Sequence, residues 1–235
     1  MGYEYLIAGF EDIAISERVQ TSEEQLLQLL DEQLSDSDKA LLALLRRKND
    51  DPAIIELLEE DAVQDRKAEL SLSDEDFRTQ LLYEQGLNCK NKFVRDWFAY
   101  NLDVNNVLAA AVAIKHGMDV QKVIVGDTEV AQELRKSGTL GKNARLAALL
   151  PDLKEVAEIA EIGDLLEREK RIDALRWQWL EERTLFEVFN IEAVLAYYLK
   201  ASILHRWDNL TVEEGEQVFR ALVAEMKKGV NLDRT

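Results

Sequence analysis

The sequence holds one cysteine, two prolines and two histidines in 235 residues. With Cys89 alone, no intrachain disulfide and no cysteine-based metal cluster can form. So few prolines, with only 10 glycines, argue against a turn-rich β fold and favour helices. His116 and His205 are the only histidines. Neither sits in a Glu-x-x-His pair, so a di-iron bundle site lacks its ligands. No second histidine lies at helical spacing for zinc. Long apolar runs are missing too. The longest, Val107 to Ile114, falls far short of the roughly 20 residues a membrane helix needs. Met-Gly-Tyr-Glu-Tyr at the start lacks the basic opening of a signal peptide. A cytoplasmic chain with no direct membrane insertion is expected.

Positive charge is scarce as well. The net charge is −17, and it is unevenly spread. Residues 1–80 hold 21 acidic and 8 basic side chains, a net of −13, and residues 81–235 a net of −4. A field of that sign repels phosphate backbones and anionic lipid heads, so no nucleic-acid partner is expected. The first reading of the acidic third is a solvated face that aids solubility. What remains is ordinary for a globular protein, with 47% hydrophobic and 32% charged residues.

The most apolar stretch runs from Asn190 to Asp208. Between Ile191 and Leu204 only Glu192, Lys200 and Ser202 are clearly polar. A helix apolar on most sides is surrounded by other elements, and Asn190 suits its N-cap. A partial echo lies 87 residues earlier: Leu102-Asp-Val-Asn-Asn-Val-Leu-Ala109 aligns with Phe189-Asn-Ile-Glu-Ala-Val-Leu-Ala196. Asp103 is expected to be the matching N-cap. Similarity at a fixed offset suggests a duplicated helical unit.

Helix signals fill the rest of the chain. Ser22 with Gln25, and Thr211 with Glu214, make capping boxes. Asp36 or Ser37, Ser73, Asp127 and Asp164 are further starts. Asp51-Pro52 places Pro at a first helical position. The helix opened by Ser73 is expected to stop near Gly86, and Gly117 reads as a stop. Leu165, Ile172, Leu175 and Trp179 share one face of a long helix. No βαβ alternation or hairpin signature is present. The expected fold is all-α: one helical unit over 1–235, with an acidic region at 1–88 and a repeat-like region at 89–235 carrying the echoes near 102–109 and 189–196.

Catalytic chemistry is poorly supplied. Gly138-Thr-Leu-Gly141-Lys142-Asn143 has two residues between its glycines where a phosphate loop needs four, and Asn143 takes the position of the magnesium-binding hydroxyl. Histidines 116 and 205 read as a helix C-terminal residue and a side chain reaching out from a core helix. Lys90-Asn-Lys-Phe-Val-Arg95-Asp-Trp97 is the one basic and aromatic cluster. It reads first as a helix with a core face and a basic rim, or else as a dock for an acidic partner. Lys90, Lys92, Arg95, Lys136, Lys142 and Arg145 form the candidate partner-facing set. No catalytic, cofactor or metal residues are assigned.

Several stretches together resemble a known family: Tyr3-Glu-Tyr-Leu-Ile-Ala-Gly9, Asn101 to Ala109, Lys115-His-Gly-Met-Asp119, Gly126-Asp-Thr-Glu-Val-Ala131, Leu165-Leu-Glu-Arg-Glu-Lys-Arg-Ile-Asp173, and the stretch from Asn190 through Arg206-Trp207. That family comprises short bacterial proteins of unknown function encoded among V-type ATPase subunits. It is similar to the C subunit of V/A-type ATPases, known in eukaryotes as the d subunit. The resemblance implies a funnel-like body of similar helical units. It implies a non-catalytic adaptor, held to the inner membrane through protein partners, that couples the central stalk to the membrane rotor ring of a proton- or sodium-translocating ATPase. The chain is shorter than typical C subunits, which puts the ring-capping geometry in question. The alternative is a helical protein-interaction scaffold unrelated to the ATPase. The departures at Ser137 to Asn143 yield one direct expectation. Calorimetry should detect no ATP binding, and saturable binding that vanishes in Lys142→Ala would contradict it.

Overall fold

The computed structural model describes residues 2–15, 18–58, 60, 63–65, 67, 73–141 and 143–208. Among these the regular structure is helical, with no strand. The chain divides into two compact units, one of Met1–Leu34 with Trp177–Thr235 and the other of Ser35–Arg176. The expected regions 1–88 and 89–235 describe charge and pattern; compactness groups the chain differently.

The larger unit is built round a single long helix. Helices α3 (Asp36–Arg46), α4 (Pro52–Leu58) and α5 (Asp74–Leu87) lead into α6 (Lys92–Lys115). A short 3-10 turn, Val120–Lys122, follows, then α7 (Glu129–Ser137), α8 (Ala144–Leu149) and α9 (Leu153–Ala160). Helix α6 packs against both α5 and α9. It buries Phe93, Val94, Phe98, Leu102, Val104, Val107 and Ala110. Those residues span more than one helical face, as expected of a helix enclosed by its neighbours. A second apolar cluster sits under α4 and α5, where Ile54, Phe77 and Leu81 are buried and Leu57, Leu58, Val63 and Leu82 pack against them.

The smaller unit contains α1 (Glu4–Ala8), α2 (Glu23–Gln33), the end of α10 (Leu165–Thr184) and a last helix, α11, over residues 191–208. Its central helix is α11, which buries Val194, Leu195, Ala196, Tyr198, Leu199, Ala201, Ile203 and Leu204. Asn190 caps it, accepting from the Ala193 N–H at 3.2 Å. Leu26 and Leu30 of α2, with Trp177, Trp179 and Leu180 of α10, complete the buried set. The Ser22–Gln25 capping box is present in full.

Three expectations need correction. Asp103 is not an N-cap: it lies inside α6, eleven residues past the start of that helix. Asn91 is the cap, accepting from Val94 N–H at 3.0 Å. The buried aromatic face from Phe93 to Tyr100 extends the helix through Asp103, since tertiary packing overrides local capping preference. The two echoed segments therefore have different structural roles, and the duplication they suggested is not present at their caps. The helix expected to stop near Gly86 ends one residue later, at Leu87. Leu165 is 66% exposed, off the buried face that holds Ile172, Leu175 and Trp179. Met118 to Val125 forms only the 3-10 turn, and the helix expected after Thr211 lies outside the described residues.

Gly117 does stop α6. It takes φ +65°, a left-handed conformation that favours glycine. The Met118 N–H reaches Ala113 O at 2.8 Å and the Gly117 N–H reaches Ile114 O at 3.2 Å. This paired closure satisfies carbonyls that the helix end would leave free. Gly86 also serves packing. A Cβ there would lie 2.0 Å from Phe98 Cγ, so only hydrogen lets α5 approach the α6 ring. Gly86→Ala should lower stability by about 1–2 kcal/mol in urea unfolding, overpacking outweighing the helix-propensity gain of about 1 kcal/mol. Unchanged or raised stability would show that this close approach does not matter.

Candidate functional site

The polar residues of α6 form the most organised constellation in the larger unit. Asn106 is 2% exposed. Its Nδ2 donates to Val125 O at 2.8 Å, and its Oδ1 accepts from Val125 N–H at 2.9 Å. Asp103 stands one turn earlier on the same face, as the i, i+3 spacing requires. Thr128 Oγ1 donates to its Oδ1 at 2.5 Å while accepting from Ala131 N–H as the N-cap of α7. Arg135 of α7 donates to Ile124 O at 3.2 Å and Gly126 O at 2.5 Å. The loop from Ile124 to Thr128 is thus held by side chains from α6 and α7. Gly126-Asp-Thr-Glu-Val-Ala131 and Asn101 to Ala109, two of the stretches that carry the family resemblance, meet at this clamp.

A second polar seam joins α6 to α10. Asp173 is fully buried and accepts from Arg176 Nη1 at 3.1 Å. Arg176 Nε donates to Asn101 Oδ1 at 2.7 Å, and Asn101 Nδ2 to Trp97 O at 2.8 Å. Each buried polar group here has a partner, as a low-dielectric interior demands. Nearby, Tyr100 donates to Asp152 Oδ2 at 2.9 Å, and Asn105 to Tyr83 Oη at 2.8 Å. Burial raises both phenols, and the Asp152 carboxylate pushes Tyr100 further.

Burial pushes the Asp103 carboxyl up to about 6, although the Thr128 hydroxyl bond opposes the shift. A raised carboxylate is a candidate catalytic group where it meets a cleft. Asp103 lines none of three clefts of about 520, 470 and 280 Å³. One, of about 520 Å³, is an open depression between Pro151, Asp152, Glu155, Ile159 and Arg171. Another, of about 470 Å³, lies between Ile114, Gly117, Arg135 and Lys136. Among the described residues no three His, Cys, Asp or Glu side chains are arranged to hold a metal ion. No described helix is long and apolar enough to cross a membrane.

The six candidate partner-facing residues fall into two groups. Lys90 is exposed, Lys92 pairs with Asp96 at 2.5 Å, and half-buried Arg95 donates to Cys89 O at 2.9 Å. These three belong to the start of α6. Lys136 borders the cleft beside Ile114 and Gly117, at the far end of that helix. With a rise of about 1.5 Å per residue, the ends lie roughly 35 Å apart. Arg145, largely exposed, joins Lys136 through α7, where Glu133 stands 3.5 Å away. Lys142 lies outside the described residues. The structure brings Lys136 and Arg145 to one region and leaves Lys90, Lys92 and Arg95 at another. Asn143, in the loop that resembles a phosphate site, caps α8, accepting from Leu146 N–H at 3.0 Å. The histidines are structural: His116 is the exposed C-cap of α6, and His205 Nε2 donates to Thr21 O at 2.9 Å rather than reaching out.

The clamp was missed from sequence alone, although its signal was there. Asp103 and Asn106 place two short polar side chains on one face of an apolar helix. A family model described as "Protein of unknown function (DUF2764)" matches residues 61–230, which include the clamp and both α6 and α11. No curated protein and no solved structure matches the chain.

The Asp103 shift sets a pH dependence. The folded state keeps this proton up to about pH 6, whereas an unfolded chain releases it near pH 4. Stability from this group is therefore complete below about pH 4 and is lost as the pH rises through about 6. Between pH 4 and 7 the wild type should lose on the order of 2 kcal/mol relative to Asp103→Asn in parallel denaturant titrations. Parallel curves for the two proteins would contradict the assignment.

Proposed function

Because the chain belongs to the DUF2764 family, of unknown function, we propose that it is a non-catalytic subunit of a V/A-type rotary ATPase, an adaptor coupling the central stalk to the membrane rotor ring. The reading rests on the resemblance of its motif stretches to the short bacterial family encoded with V-type ATPases, and through it to the C subunit of those enzymes. One structural observation supports it. Each unit is close-packed round one buried helix, α6 or α11, and close-packed interiors transmit strain rather than absorb it. That is what a part under torque requires.

Two basic groups, at the start of α6 and beside Lys136, give such an adaptor separate places for two partners. Both are exposed enough for their contacts to weaken as salt is added. A helical scaffold serving other partners would use the same surfaces. Copurification with stalk or ring subunits separates the two readings. Removal of this subunit from the native organism tests the adaptor reading in full. ATP-driven ion pumping into membrane vesicles should fail while the soluble head keeps hydrolysing ATP. Hydrolysis and pumping that stay coupled without the subunit would overturn it.

A further inference from the structure

The smaller unit exposes an apolar segment that its described residues leave uncovered. After α10 ends at Thr184, the chain runs Leu185-Phe186-Glu-Val188-Phe189 before Asn190 caps α11. Leu185 is 71% exposed, Phe186 87%, Val188 56% and Phe189 48%. A backbone bond from Tyr3 N–H to Phe189 O, 2.8 Å long, ties the N-terminal segment beside it. Two residues on, Tyr5 is 96% exposed. Single exposed apolar residues are ordinary, but four within five positions are not, and contiguous apolar surface marks an interaction site.

The same segment runs into a cleft of about 280 Å³, whose walls include Phe10, Glu11, Asp12, Glu187 and Tyr197. Phe10 and Tyr197 stack there, with ring centroids 4.0 Å apart. The Glu11 carboxylate is fixed by the backbone N–H groups of Gln20 and Thr21, at 3.1 and 2.9 Å. Asp12 and Glu187 are exposed. Exposed Glu181 and Glu182 lie in the last turn of α10, where Arg183 stands over the Trp179 ring at 5.2 Å. Lys200 also lines the cleft, but it stands 3.4 Å from Glu181 and over the Trp177 ring at 5.1 Å. The cleft is therefore acidic with aromatic walls, and it borders an apolar ridge.

The geometry points to a docking surface for a basic, amphipathic segment of a partner protein, with apolar side chains on Phe186 and Phe189 and a Lys or Arg in the carboxylate cleft. Charge complementarity selects this occupant. The same face of a second copy would bring acid against acid, and an anionic membrane would meet the same repulsion. Exposed aromatics in such a setting supply the anchors of an interface. The surface belongs to the smaller unit, whereas the basic residues named above belong to the larger one, and the assignment does not depend on the rotary-ATPase reading.

Site-specific photocrosslinking tests it. p-Benzoylphenylalanine replaces Phe186 in the full chain expressed in its native cells, with Glu32 on α2 as the control position. Crosslinked peptides are then sequenced by mass spectrometry. One protein should dominate at position 186 and be absent at position 32, and its crosslinked peptide should interleave apolar residues with Lys or Arg. That peptide, synthesised and titrated into the purified chain, should bind. Its affinity should fall at least tenfold for Phe186→Asp and several-fold for Asp12→Lys, with circular dichroism unchanged in both. Crosslinks to lipid, to a second copy, to an acidic peptide or to no partner would each overturn the assignment. So would binding that ignores both substitutions.

Discussion

A helix enclosed on nearly every side can carry polar residues only where each meets a partner. Helix α6 carries four in succession that do. Asn101 meets Arg176, Asp103 meets Thr128, Asn105 meets Tyr83 and Asn106 meets the Val125 backbone. These bonds decide what may lie beside the helix. They hold the loop before α7, anchor the middle of α10 and orient α5, while the apolar residues between them supply the burial. An unpaired amide at buried Asn101 or Asn106 would cost about 1–3 kcal/mol. The larger unit is therefore specified by its polar pairs as much as by its apolar area.

This explains which parts of the fold were legible in the sequence. Helix content followed from scarce proline and glycine, and most starts were marked by Ser, Thr, Asp or Asn within a residue of the observed caps. The stretch after Asn190 read correctly as a core helix because its apolar residues wrap all round. Asp103 was misplaced because a carboxylate before a β-branched residue has the same local signature whether it caps a helix or points sideways into a tertiary bond. Gly86 did mark the end of α5, but its close approach to Phe98 was not legible, because a glycine that ends a helix and one that admits a neighbouring ring look alike in one dimension. Both contacts turn on partners far along the chain, Thr128 and Phe98, which periodicity does not reveal.

The candidate site was less legible than the fold. Six basic residues chosen by composition separate into two groups, because α6 itself spans the distance between them. The apolar run from Leu185 to Phe189 drew no attention beside the helix it precedes, since hydrophobicity alone does not say which side chains face water. Membership of a family whose function is unknown leaves the role to be argued from chemistry. The chemistry in hand is that of contact: buried pairs that hold the unit, exposed cations in two places, and an acidic cleft beside an aromatic ridge.

The adaptor role is tested most directly by asking whether this chain is part of the rotary machine. The ATPase is purified from native membranes through a head subunit, and its components are quantified by mass spectrometry. The proposed role predicts this chain in fixed proportion to the stalk subunits, retained through moderate salt. An intact, ion-pumping complex that lacks the chain would contradict it.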